Sequence, residues 1–191
     1  LVLIMVLAAI FAPLIAPYDP AEQNLMASLT GPSADHLFGT DNLGRDILSR
    51  VIYGGRVTLP IAFIGVAVAL VIGVPIGLVA GYAGRWTDTL IMRLTDVFLA
   101  FPSMLLAIAI TSALGIALST ISIAIAVFSI PVYIRLVRSE VLRLREREFV
   151  TAAHCIGAPA RRIVFGHILP NSLSPIIVQS SLNAAIAIIT V

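Results

Sequence analysis

Apolar residues along this chain come in long uninterrupted blocks, and charge is confined mostly to the gaps between them. Residues 57–82 contain no charged side chain, and neither do residues 97–134. A helix needs about 20 consecutive, mostly apolar residues to cross a bilayer, so the first block predicts one crossing. The second is too long for one. Gly115 and the small polar run Ser119, Thr120 and Ser122 divide it. The earlier span then begins near Leu90 and takes in Arg93, Asp96 and Pro102, and the later one covers about 118–134. Residues 173–191 form another block, interrupted only by Gln179 and Asn183. Residues 1–16 are apolar too, with Pro13 and Pro17 at the exit. No small-residue cleavage site follows residues 1–15, which favours a span over a signal-peptide core. Leu1 and Val191 both fall inside apolar runs, so the expectation is a fragment with five spans, the first and last incomplete.

Composition agrees with the pattern. Of 191 residues, 59% are hydrophobic and 12% charged, and the mean hydropathy is +1.05. Soluble domains carry about 25% charged residues, so the chain is predicted to be an all-α integral membrane protein. The net charge of +2 gives no reason to expect nucleic acid as a partner. Every basic residue is Arg, and their placement orients the spans, because short cytoplasmic loops collect Lys and Arg. Arg135, Arg138, Arg143, Arg145, Arg147, Arg161 and Arg162 crowd residues 135–167, and Arg85 lies in the 81–88 turn. The long 17–56 segment has three arginines against Asp19, Glu22, Asp35, Asp41 and Asp46. The expected organisation is therefore a first span over 1–16, an external loop over 17–56 and a core over 57–191. That core includes a cytoplasmic segment at 135–171.

Within that segment, residues 139–156 carry Leu142, Phe149, Ala153 and Ile156 as a recurrent apolar stripe. Glu140, Glu146 and Glu148 alternate with arginines, as on a water-exposed helix. Gly157 is placed to end the helix, and Pro159 to open a second short one running to about Gly166. Leu169-Pro170-Asn171 then predicts a stop. The result is a compact knob. Small residues at Ala152 and Ala153 would let a partner approach, with Phe149 and Ile156 as anchors. On physical grounds alone, an amphipathic helix lying on anionic lipid is equally open.

The spacing Thr151-Ala152-Ala153, Gly157, Leu169-Pro170 resembles the signature loop of bacterial ATP-binding-cassette importer permeases, where Thr151 stands in place of the usual Glu. The likeness extends along the chain: the 12–20 run APLIAPYDP, Phe38-Gly39-Thr40-Asp41, Gly44-Arg45-Asp46, Ser49-Arg50, Tyr53-Gly54, Met92-Arg93, Asp96 and Phe101-Pro102. These resemble the second permease subunit of dipeptide, oligopeptide, nickel and glutathione importers. The resemblance implies a type I importer transmembrane domain with a coupling helix seated in a cleft of an ATPase. The contact residues would be Glu148, Phe149, Thr151, Ala152, Ala153, Ile156 and Gly157, with Leu169 and Pro170 completing the motif. It further implies a second homologous permease, two ATPase subunits that hold ATP and Mg, an extracytoplasmic solute-binding protein, and a bacterial or archaeal cytoplasmic membrane. No cofactor is expected on this chain itself.

Arg93 and Asp96 share a helix face at three-residue spacing and could pair; charge in a span suggests gating or structure. Pro102 and Asn183 join them as gating or pore candidates. Gly73, Pro75 and Gly77 in the second span suggest a kink lining a path, or merely the glycine and proline common in membrane helices. Ser119, Thr120, Ser122, Ser129, Gln179 and Asn183 are the deep polar groups, suited to a path or to bonds between helices. Asp41, Asn42 and Asp46 lack the spacing of a calcium loop, and residues 39–46 read as a turn into an amphipathic helix. His36, His154, Cys155 and His167 are too scattered for a metal. No phosphate-binding loop is present, so ATP chemistry would belong to another subunit. The alternative classes are a secondary transporter or channel, for which Asp96 is the one in-span carboxylate, and an intramembrane enzyme, for which no nucleophile and base stand out.

Overall fold

The computed structural model describes residues 2–115 and 117–190. Leu1, Ile116 and Val191, within the predicted first span, the Gly115 turn and the last span, lie outside the described residues. The chain forms two compact units, Leu1–Pro60 and Ile61–Val191.

The first unit opens with two short helices, α1 (Val2–Ile10) and α2 (Ala12–Ile15), separated at Phe11. A loop follows that carries several hydrogen bonds within itself. Asn24 caps a single 3-10 turn by accepting from Met26 N at 3.2 Å. Thr30 and Thr40 join hydroxyl to hydroxyl at 2.8 Å. Gly39 and Gly44 hold positive φ of 75° and 71°. Asp46 accepts from Ser49 N at 2.8 Å and so caps α3 (Ile47–Ala83), the turn-then-helix read from the sequence. The helix that follows this turn does not end before the span. It is the first part of the 37-residue α3, with no break near Arg56.

Asp41 and Asp46 are both committed to protein partners. Asp41 accepts from Leu43 N at 2.8 Å, Arg45 N at 3.0 Å and Arg45 Nε at 2.8 Å, and it also pairs with Arg50. Partial burial alone would raise its pKa. The Arg45 and Leu43 amides and the Arg45 guanidinium outweigh that and hold it at about 2, against an ordinary 3.8. Asp46 is also lowered: burial opposes the shift, but the Ser49 amide and His36, at 3.0 Å, prevail. A carboxylate with a depressed folded pKa stabilises the fold above its unfolded pKa and loses that contribution as pH falls through the folded one. The loop should therefore resist proteolysis at pH 5 and open between about pH 4 and 2. Acid-stable protease digestion, with cleavage mapped to residues 17–46, measures this. In Asp41→Asn the protection should already be weak at pH 5.

The second unit contains α4 (Arg85–Ala100), α5 (Ser103–Leu114), α6 (Leu118–Arg145), α7 (Glu148–Cys155), α8 (Ala160–Ile163), a π-helical turn (Val164–Ile168) and α9 (Leu169–Thr190). It is organised around a seam between α3 and α6. Gly65, Ala69, Gly73, Gly77 and Gly81 recur every four residues on α3. A Cβ on Gly73 would lie 2.7 Å from Tyr133 Cβ, one on Gly77 would lie 2.8 Å from Ile134 O, and one on Gly81 would lie 2.6 Å from Val141 Cβ. The glycines at 65, 73, 77 and 81 face Ile125, Tyr133, Val137 and Val141, so the two helices run parallel in constant register. Small residues at this spacing let backbones approach where lipid supplies no hydrophobic drive. The close approach of α6 accounts for Gly73 and Gly77. They are packing positions, and α3 passes Pro75 unbroken.

Three further expectations change. The third predicted span is not straight and starts earlier, at Arg85: α4 and α5 meet at 87°. Phe101 is extended (ψ 131°), as residues before proline tend to be, and Pro102 carries φ −58° and ψ 129°. The fourth helix does not stop near Ile134. α6 continues to Arg145, about 42 Å in all. Its buried residues Val141 and Leu144 are followed by buried Val150 and Ala153 on α7. The six-residue step from Leu144 to Val150 is out of phase with a 3.6-residue helix, and the break at 146–147 resets the phase. Finally, Leu169-Pro170 ends no helix. The π-turn, with Leu169 N donating to Val164 O, carries the chain through Pro170 into α9.

Among the described residues, three helical stretches are long and apolar enough to cross a membrane: α3, α6 and 160–190. Counted as one broken span, the bent α4–α5 pair would make a fourth. Five were expected from the sequence, the first of them incomplete, and the nine-residue α1 falls within that first expected span. The chain is an all-α integral membrane protein.

Candidate functional site

The knob is built from α7 outward. Its N-terminal boundary is Arg147, whose carbonyl accepts from Val150 N and Thr151 N at 3.0 and 3.1 Å. Its C-terminal end is a complete Schellman motif. Gly157 N donates to His154 O at 2.9 Å, Ala158 N donates to Ala153 O at 3.0 Å, and Gly157 takes φ +76°. The four-residue gap between Ala153 and Gly157 is thus set by backbone geometry: one is the third residue from the end, the other the left-handed residue beyond it.

Which face points outward differs from the sequence reading. Val150 and Ala153 are turned into a core with Leu144, Ile163, Ile168, Val137, Val141 and Leu78, and Ala153 is only 6% exposed. Ala153 therefore cannot be a point of close approach for a partner. Its methyl is in contact with this chain's own core. The stripe read through Leu142, Phe149, Ala153 and Ile156 fails because it counts across the break at 146–147. Glu148, Phe149, Thr151, Ala152, Ile156 and Gly157 are exposed, Ile156 at 84%. Thr151 Oγ1 turns back to Arg147 O at 3.4 Å. The Phe149 ring lies 6.5 Å from that of His167, which fixes where Phe149 meets the segment leading into α9. Leu169 packs partly against the same core, and Pro170 is exposed.

Charged side chains fasten the helices above the knob. Arg138 of α6 binds Asp88 of α4 through two bonds of 2.5 and 2.6 Å, a bidentate guanidinium–carboxylate pair. Arg135 binds Asp96 at 2.7 Å. Asp96 thus pairs with α6 and not with Arg93. Arg93 is exposed and makes no ion pair among the described residues. Arg145 Nη1 reaches Gly81 O, near the C-terminal end of α3, at 3.4 Å. α6 is therefore joined by charge to α3 and α4 and carries α7 at its end. The sequence reading missed Asp88 and Arg138 as a pair. Each sits on a helix face, but nothing local links positions 50 residues apart.

Deeper polar groups mostly bond between or along helices. Ser122 donates to Ile61 O at 3.2 Å, and Tyr133 Oη lies 3.2 Å from Ser180 Oγ. Gln179 Nε2 donates to Asn183 Oδ1 at 3.0 Å, while Asn183 Nδ2 is buried with no hydrogen-bond partner among the described residues. Pro102 stands at the α4–α5 elbow. A cleft of about 510 Å³ opens between α3, α4 and α6, walled by Ile76, Leu94, Phe98, Ile130, Pro131 and Ile134.

Close-packed spanning helices with a short helical knob following α6 describe a helical membrane domain. The chain belongs to the family of binding-protein-dependent transport system inner membrane components, whose family model matches residues 73–191. The N-terminal transmembrane domain of oligopeptide transport permease C matches residues 1–32. The chain is similar to the dipeptide transport system permease protein DppC of Alkalihalophilus pseudofirmus, with 53% identity over 184 residues, covering 96% of this chain and 60% of that protein. To DppC of Haemophilus influenzae it is 44% identical over 194 residues, covering 98% and 66%. To the glutathione transport system permease protein GsiD of Pectobacterium atrosepticum it is 41% identical over 190 residues, covering 99% and 63%. The chain thus spans between 60% and 66% of the length of these relatives.

Proposed function

We propose that this chain is a transmembrane subunit of an ATP-driven importer for small peptides or solutes of similar size, such as glutathione or chelated nickel. The single observation that carries the reading is α7: a short helix with an exposed face at Phe149, Ala152 and Ile156, packed by its other face onto the end of α6. Such a knob suits a groove on a moving partner. The partner is an ATPase, present as two copies that bind ATP and Mg, and ATP hydrolysis takes place there. A second homologous permease completes the membrane path, and an extracytoplasmic binding protein delivers the solute. The arginine-rich end faces the cytoplasm and residues 17–56 face outward, as the positive-inside rule favours. Dipeptide and glutathione transport are named for the relatives, and this supports the substrate class.

Mechanically, ATPase closure displaces α7, and α6 passes the displacement to α4 through Arg138–Asp88 and Arg135–Asp96. Nucleotide biases an inward–outward equilibrium by its different affinity for the two states. The test is uptake of labelled dipeptide, glutathione and nickel into vesicles holding the complete transporter. Uptake should require internal ATP and binding protein and should persist when ion gradients are collapsed. Uptake driven by an ion gradient without ATP would overturn the reading in favour of a secondary transporter.

A further inference from the structure

We infer that Arg161, Arg162 and Phe165 form a contact surface for the head groups of anionic phospholipids, on a face of the knob distinct from Phe149 and Ile156. The helical run from Ala160 to Thr190 has 31 residues, about 46 Å at 1.5 Å per residue. A hydrocarbon core of about 30 Å uses roughly 20 of them, and ordinary tilt removes only a few ångströms of the excess. The surplus must lie at the end that carries Arg161 and Arg162, because no other Asp, Glu or Arg occurs in the run. That places both guanidinium groups in the head-group layer.

Their direction is fixed by their neighbours. Ile163 and Ile168 point into the core, and the ring of His167 faces Phe149. Arg161, Arg162 and Phe165 are exposed on the remaining side, Phe165 at 59%. Neither arginine takes part in an ion pair found among the described residues. Two unpaired guanidiniums with an aromatic ring a turn deeper match a phosphodiester above an acyl boundary. The α3–α4 turn repeats the pairing with exposed Arg85 and Trp86. It lies at the same end of the unit, since Arg145 of α6 reaches Gly81 there. Lipid suits this surface better than a protein groove because the ring precedes an apolar helix without a break.

The surface does not depend on an ATPase, so it can be tested apart from the transport reading. The complete transporter is placed in phosphatidylcholine vesicles containing a minor fraction of photoactivatable phosphatidylglycerol, and cross-links to residues 160–168 are quantified. Juxtamembrane charges each change lipid association roughly fivefold. Arg161→Gln with Arg162→Gln should lower the phosphatidylglycerol yield at least about fivefold. The paired Lys variant should retain it, and a photoactivatable phosphatidylcholine should show no change. On the parent protein the phosphatidylglycerol yield should fall with rising salt, which tests the surface even if the Gln pair assembles poorly. An unchanged yield in the Gln pair, or a salt-independent yield in the parent, would overturn the inference. Loss of ATPase co-purification with an unchanged lipid yield would instead assign the face to a protein.

Discussion

Gly77→Val should lower the melting temperature of the purified permease by roughly 6–12 °C. A Cβ there would lie 2.8 Å from both Ile134 O and Val137 Cβ. One of these atoms is backbone, so no rotamer change relieves the contact and α6 itself must move away. Overpacking typically costs about 1–3 kcal/mol, and for a domain of this size each kcal/mol shifts melting by about 2–4 °C. The upper part of that range applies because Val137 is fully buried and belongs to the core that also seats α7. Gly77→Ala should fall between parent and valine variant. Gly54→Ala is the control: nothing lies within 4 Å of a Cβ there, so relief of helical glycine should stabilise by up to about 1 kcal/mol. If the valine variant melts at the parent's temperature, the seam is not a close contact and the parallel α3–α6 register is wrong.

The same seam shows what the sequence made legible and what it hid. Apolar blocks identified the spans because a membrane leaves a crossing segment little choice but a long apolar helix. The four-residue recurrence of Gly65, Ala69, Gly73, Gly77 and Gly81 is present in the sequence, but Gly73 and Gly77 flank Pro75, a context equally compatible with a kink. Only the partner helix shows them to be contact positions. Phe101-Pro102 was a local break signal inside an apolar stretch, and hydropathy does not register a change in helix direction. The partner of Asp96 could not be read locally: Arg93 is three residues away in sequence, yet Arg135, 39 residues away, holds it. Gly157 was fully legible, since a left-handed helix end is a property of the backbone. Ala153 was misplaced because periodicity has meaning only within one helix, and the chain restarts its phase at Arg147.

That correction separates two neighbouring alanines. Ala153→Glu should prevent folding of the knob, whereas Ala152→Glu should fold normally and fail to hold the proposed ATPase partner. Ala153 is buried among Val150, Ile163 and Ile168, with no cation among these neighbours. Placing an unpaired carboxylate there costs on the order of 3–5 kcal/mol or shifts the group to its neutral form at similar cost. The readout is loss of monodisperse protein and of protection in residues 147–168 by hydrogen exchange. Ala152 is exposed, and a surface substitution of this kind usually changes stability by about 0.5 kcal/mol or less. Pressed into a partner's apolar groove, however, its carboxylate is desolvated, which weakens association by roughly a hundredfold for about 3 kcal/mol. Co-purification with the ATPase and ATP-driven uptake should both be lost in Ala152→Glu, with the melting temperature unchanged. Retention of both in a folded Ala152→Glu protein would remove α7 as the docking element. A folded, protected Ala153→Glu protein would show instead that α7 does not pack with Ala153 inward, and the exposed face would have to be redrawn around the helix.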